Sequence, residues 1–113
     1  MIYFFNDRDA PSVAREPRSA LTSWRIVETA IGDRHILMRL HGDRIRVSTA
    51  LVQIDSTART ATTASGRFYE FLGPPEEALW FRVAFEANAY RLGLRQIVDV
   101  SDVLWATLRA SEH

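Results

Sequence analysis

Ile36, Met38 and Leu40 alternate with Leu37, Arg39 and His41; beyond Gly42-Asp43, Ile45 and Val47 alternate with Arg44, Arg46 and Ser48. A period of two on both sides of a short loop that begins with glycine is the pattern of a β-hairpin with a type II′ turn. A two-residue loop sets His41 opposite Arg44 and Arg39 opposite Arg46 on one side. Ile36, Met38, Leu40, Ile45 and Val47 then lie on the other. The two strands agree on this register independently, and register determines which side chains reach the core.

The neighbouring segments extend the pattern. Gly32-Asp33 offers a second turn, and Ser65-Gly66 a third between residues 60–64 and 67–72. Ile45 and Val47 have odd numbers whereas Ala50, Val52 and Ile54 have even ones, so a bulge or bend is expected near Ser48-Thr49. Gly73-Pro74-Pro75-Glu76-Glu77 reads as a helix start, with proline suited to the first turn and glutamates to the positive end of the dipole. That helix runs to about Leu92 and stops at Gly93. Residues 94–98 form a strand or a connector. Ser101 caps a last helix through Arg109, with Asp102 in its first turn.

The expected fold class is α+β: an antiparallel β-meander of about five strands, bulged near residue 48, followed by two C-terminal helices. Residues 1–113 make one domain, with a partly irregular N-terminal arm at 1–20, the meander at 21–72 and the helical part at 74–111. Within the arm, the aromatic residues at 2–5 suggest a short strand.

Composition narrows the chemistry. The chain has no cysteine, which excludes disulfides, thiolate zinc sites and cysteine nucleophiles. Its 14 basic residues are all arginine and are balanced by 14 acidic ones. Zero net charge argues against broad non-specific nucleic-acid binding. The apolar start Met1-Ile2-Tyr3-Phe4-Phe5 is too short for a membrane span or signal peptide, so a cytoplasmic protein without membrane contact is expected. His35 and His41 are about 20 Å apart on an extended strand, and no recognised metal, nucleophile or cofactor spacing is present. Neither metal nor cofactor is expected.

Two candidate surfaces remain. The first is the basic face Arg39, His41, Arg44 and Arg46, where opposed arginines call for an acidic neighbour or partner. Trp24 joins it if the Gly32-Asp33 loop has two residues; a shift of one residue sends Trp24 to the core. The second lies on the first helix, which carries two apolar stripes. Leu79, Trp80, Val83, Ala87 and Tyr90 form one, and Phe81, Phe85, Ala89 and Leu92 the other. In the simplest packing the sheet covers one stripe and Leu104, Trp105 and Leu108 of the last helix cover the other. An uncovered stripe, represented by Phe81, Phe85 and Leu92, would serve as a homodimer or partner interface.

The segment Thr62-Thr63-Ala64-Ser65-Gly66-Arg67-Phe68-Tyr69-Glu70-Phe71-Leu72-Gly73, preceded by Ile54-Asp55, resembles a hairpin of small uncharacterised proteins from bacteria and their phages. Phe71-Leu72 stands where that pattern has a single leucine. The resemblance covers under a quarter of the chain. It implies no activity or catalytic residue, and it points to a phage or mobile-element protein that blocks a host or defence complex. The expected function is therefore a non-enzymatic protein-binding module whose partner is a protein with an acidic surface. A small nucleic-acid-binding protein using the basic face ranks second, and a small enzyme of unknown reaction third.

Overall fold

The computed structural model describes the backbone of Tyr3–Asn6 and all of residues 18–42 and 44–110. The apolar runs Ile26-Val27 and Ile36-Leu37-Met38 govern the architecture. A strand whose successive residues are all apolar has to be covered on both faces. These runs belong to β3 (Trp24–Glu28) and β4 (Arg34–Leu40), which with β5 (Arg44–Val47) are the inner strands of a sheet edged by β1 (Tyr3–Asn6) and β9 (Val98–Asp99). The order is β1-β5-β4-β3-β9. A second sheet holds β2 (Arg18–Leu21), β6 (Leu51–Asp55), β7 (Thr60–Thr63) and β8 (Phe68–Phe71), in the order β2-β8-β7-β6. Two helices follow, α1 (Leu79–Arg91) and α2 (Ser101–Ala110).

The fold is thus α+β, with two mainly antiparallel sheets and two C-terminal helices. The single meander of about five strands is corrected to nine strands in two sheets among the described residues. The extra strands include β1 and β2, which pair in parallel with β5 and β8. Such pairings join distant segments, and local alternation carries no trace of them. β1 falls where a short aromatic strand was expected; residues 7–17 of the expected arm lie outside the described residues.

The first sheet is sandwiched. Val27, Leu37, Ile45 and Val47 pack against Ala84, Phe85 and Ala89 of α1. On the other face Trp24, Ile26, Ile36 and Met38 meet Ala61, Tyr69 and Phe71 of the second sheet and Leu108 of α2.

The register corrects the proposed basic face. Leu40 pairs with Arg44, Arg39 with Ile45 and Met38 with Arg46. The β4–β5 loop is one residue longer than two, with Gly42 in the left-handed region at φ 77°. A slip of one residue sends every side chain of a strand to the opposite face. Ile45 and Val47 therefore share the α1 side with Leu37 and Arg39, while Arg44 and Arg46 share the other with Met38 and Leu40. Between β3 and β4, Trp24 pairs with Met38 and Ile26 with Ile36, so residues 29–33 form the loop and Trp24 points into the core.

The expected bulge near residue 48 is a change of sheet. Residues 48–50 carry the chain from β5 in the first sheet to β6 in the second, and the irregular pairing sits between Leu51 and Gln53. Ser48 secures the crossing. Its N–H donates to the Ile36 carbonyl at 2.9 Å and its hydroxyl accepts the Ile36 N–H at 2.9 Å.

The helix ends also differ from expectation. α1 begins at Leu79, so Glu76 and Glu77 precede it. Glu76 instead accepts the Ala78 N–H at 3.1 Å and the Ser23 hydroxyl, tying the approach to α1 onto the start of β3. At the other end Gly93, at φ 100°, takes the left-handed position expected of a stop. The Gly93 N–H donates to the Tyr90 carbonyl and the Leu94 N–H to the Ala89 carbonyl, which is the Schellman pattern. At α2, Asp99 takes the capping role expected of Ser101: its Oδ1 accepts the Ser101 N–H at 2.9 Å. The Ser101 hydroxyl accepts the Ile26 N–H at 2.7 Å.

Candidate interaction surface

α1 has apolar residues on both sides, and the sheet covers only one. At roughly 100° per residue, Ala84, Phe85, Asn88 and Ala89 face inward and are buried. Phe81 and Leu92 pack against the same cluster. The expected interface stripe Phe81, Phe85 and Leu92 is therefore core-facing, and Phe85 is wholly buried. The exposed stripe is the other one: Leu79 is 72% exposed, Trp80 65%, Val83 52% and Tyr90 46%. Leu104 and Trp105 of α2, expected to cover a stripe of α1, pack instead on the cluster around Trp24. Both stripes were legible from the spacing. Small Ala84 and Ala89, packed against the sheet with Phe85, are the signal that identifies the inner side.

Charges frame the outer stripe. Glu77 is exposed at its N-terminal end and Arg91 and Arg95 at its C-terminal end. The Arg95 Nη1 donates to the Tyr90 and Leu94 carbonyls at 2.7 and 2.8 Å, and its guanidinium lies 5.8 Å from the Tyr90 ring centre. Arg82 and exposed Glu86 occupy one lateral edge, one helical turn apart.

The stripe is presented on a fixed mount. Arg25 of β3 is buried, and its guanidinium forms two 2.9 Å bonds to the Asp99 carboxylate. Its Nη1 donates to the Glu76 carbonyl at 3.0 Å and lies 3.9 Å from the Glu77 carboxylate and 3.7 Å from that of Asp102. One side chain thus joins the approach to α1, the β9 edge and the start of α2. Burial opposes the Arg25 charge, but the bond to Asp99 and the surrounding carboxylates outweigh it and raise its pKa. Burial likewise raises Asp99, yet the Arg25 and Ser101 bonds prevail and hold it below the usual range. Glu76 is also lowered; the Ser23 hydroxyl, the Ala78 N–H and the Arg39 charge overcome its desolvation.

Both carboxyls bind their proton less readily in the folded protein than in the unfolded chain. The stability they contribute is present above their unfolded pKa values and is lost as pH falls through the lower folded ones. Acid titration should therefore destabilise the protein progressively below about pH 4. Asp99→Asn should be less stable at neutral pH and lose less on acidification. Urea unfolding over a pH series checks this; equal acid losses in wild type and variant would exclude the Asp99 contribution.

The proposed basic face is divided: Arg39 lies on the α1 side of the sheet, Arg44 and Arg46 on the other, and His41 in the turn between their strands. Arg39 lies under α1, its guanidinium 4.2 Å from the Phe81 ring centre. Arg46 is wholly buried between the sheets, with Nη1 3.5 Å from the Tyr69 hydroxyl. His41 is exposed in the β4–β5 turn, and Arg44 donates to the His41 carbonyl at 3.1 Å. Trp24 has no exposure and its indole N–H donates to the Gly73 carbonyl at 3.0 Å. Arg25 was absent from the expected site residues; its place inside the apolar run Trp24–Val27 was the available signal, since a charge amid core residues must be paired.

Among the described residues no group of three His, Asp or Glu side chains is placed to hold a metal ion. Nor is any helix long and apolar enough to cross a membrane. No family model matches the chain, and neither curated proteins nor solved structures gave a significant match.

Proposed function

We propose that this protein is a non-enzymatic protein-binding module whose contact surface is the outer face of α1. The observation that carries the reading is the continuous exposure of Leu79, Trp80, Val83 and Tyr90 along one side of a helix whose other side is anchored in the core. Apolar surface rimmed by polar groups is the composition of an interface, with aromatic residues as its anchors. Charges of both signs rim this stripe, so the partner surface is of mixed charge rather than acidic. The nucleic-acid reading is weaker, because a basic platform needs neighbouring cations on one face and Arg39 and Arg46 lie on opposite sides of the sheet. The hairpin's likeness to small phage proteins supports a separate role in blocking a host or defence complex, which does not depend on what occupies the α1 face.

A photo-crosslinking residue placed at Val83 in the producing cell tests the reading. A discrete covalent adduct is expected from Val83 and none from the same residue at exposed Ala58. Leu79→Glu should remove the adduct. Equal yields from both positions, or no adduct from either, would overturn the assignment of this face.

A further inference from the structure

We infer that the occupant of the outer α1 face is a second copy of this chain, packed with its α1 antiparallel across a two-fold axis; the inference rests on reading that face as an interface. The arrangement of charges is the reason. In a two-fold interface, each contact between residue i and residue j occurs twice, so the surface must complement itself. The α1 face does so in one orientation. Its N-terminal end carries Glu77 and its C-terminal end Arg91 and Arg95, so reversing the second helix brings opposite charges together at both ends.

The lateral edges agree. With the axis at the middle of α1, each edge faces the same edge of the other copy, running the opposite way. Arg82 and Glu86 straddle that midpoint, so each Arg82 meets the other copy's Glu86. On the opposite edge each Trp80 ring meets the other copy's Arg91, a cation–π geometry. Val83 and Ala87 face one another at the centre, where alanine allows close approach, and Leu79 lies against Tyr90. A parallel pairing would instead stack Glu77 on Glu77 and Arg95 on Arg95. One helix per side is a small interface, in the class below about 1,200 Å² that gives weak, reversible association.

Analytical ultracentrifugation tests the pairing. Wild type should pass from monomer to dimer between micromolar and millimolar concentration. Val83→Glu should remain monomeric with unchanged thermal unfolding at low concentration, since Val83 is 52% exposed. Arg82→Glu alone should weaken the dimer at least tenfold, and Arg82→Glu with Glu86→Arg should restore it. The cysteine-free chain allows orientation to be read with single nitroxide labels. In the dimer, labels at Ala78→Cys should stand roughly 20 Å apart along the axes, from 1.5 Å per residue, whereas labels at Glu86→Cys should be near neighbours. Short separations at both positions would overturn the antiparallel arrangement. A wild type that stays monomeric at millimolar concentration would overturn the dimer altogether. The adduct from Val83 separates these failures from failure of the interface itself: twice the chain mass supports the second copy, and any other protein mass rejects it while retaining the face.

Discussion

Trp24→Ala is expected to lower folding stability by about 3–5 kcal/mol, the range for removing a large aromatic residue from a packed core. The Trp24 ring lies 4.6 Å from that of Phe71 and 6.1 Å from that of Trp105, so it joins β3 to the second sheet and to α2. Its truncation leaves a cavity where three elements meet and removes the donor to the Gly73 carbonyl. Trp24→Phe should cost less, because it keeps most of the packing and loses the hydrogen bond. Urea denaturation followed by far-ultraviolet circular dichroism measures the effect without relying on the deleted fluorophore. Were Trp24 part of an exposed basic platform, its replacement would cost no more than about 0.5 kcal/mol, as at ordinary surface positions. A loss that small would contradict the observed β3–β4 register.

Arg25→Met should cost about 3 kcal/mol, at the lower end for breaking a buried ion pair because the Asp99 side chain keeps some exposure. The loss arises mainly from the Asp99 carboxylate, which is left partly buried without its counter-charge. Adding Asp99→Asn to Arg25→Met should therefore recover part of the loss. The double variant should be less destabilised than the sum of the single ones, and a double-mutant cycle measures that coupling. Additive losses would mean that the two groups do not act as a pair. Because Arg25 also binds the Glu76 carbonyl, its removal should speed hydrogen exchange at residues 76–79 more than at the Gly93 end. Phe85→Glu belongs to the same class of severe variants. It places a charge at a wholly buried position under α1 and should unfold the protein, whereas Val83→Glu on the opposite side should not.

Residue periodicity and turn chemistry account for much of the local structure. Alternation located β4 and β5, Ser65-Gly66 located the β7–β8 hairpin, and Gly93 located the end of α1. Local pattern and structure part where two local solutions are nearly equal. A two-residue loop at Gly42-Asp43 and the observed longer one both satisfy the alternation of β5, because its apolar residues are buried on either face. Sidedness is then lost as a constraint on register. The run Ile36-Leu37-Met38 was the local sign that both faces are covered, and it outweighs the alternation around it. At the start of α1, proline and glutamate fit a first turn equally well as a preceding extended segment. The Ser23–Glu76 hydrogen bond, with its partners far apart in sequence, favours the latter.

The amino-acid sequence by itself determined the α+β class, the helix positions to within a turn at most ends, and the presence of two apolar stripes on α1. These follow from interactions among residues a few positions apart. Only the tertiary structure decided that the strands divide into two sheets, that Arg46 is enclosed while Arg39 lies under Phe81, and that α2 packs on the Trp24 side. The physical reason is that a helix with two apolar stripes can bury either one at similar local cost. The choice rests on the packing of Ala84, Phe85 and Ala89 against the sheet and on where Arg25 holds the approach to α1 and the start of α2. That choice left Leu79, Trp80, Val83 and Tyr90 facing outward.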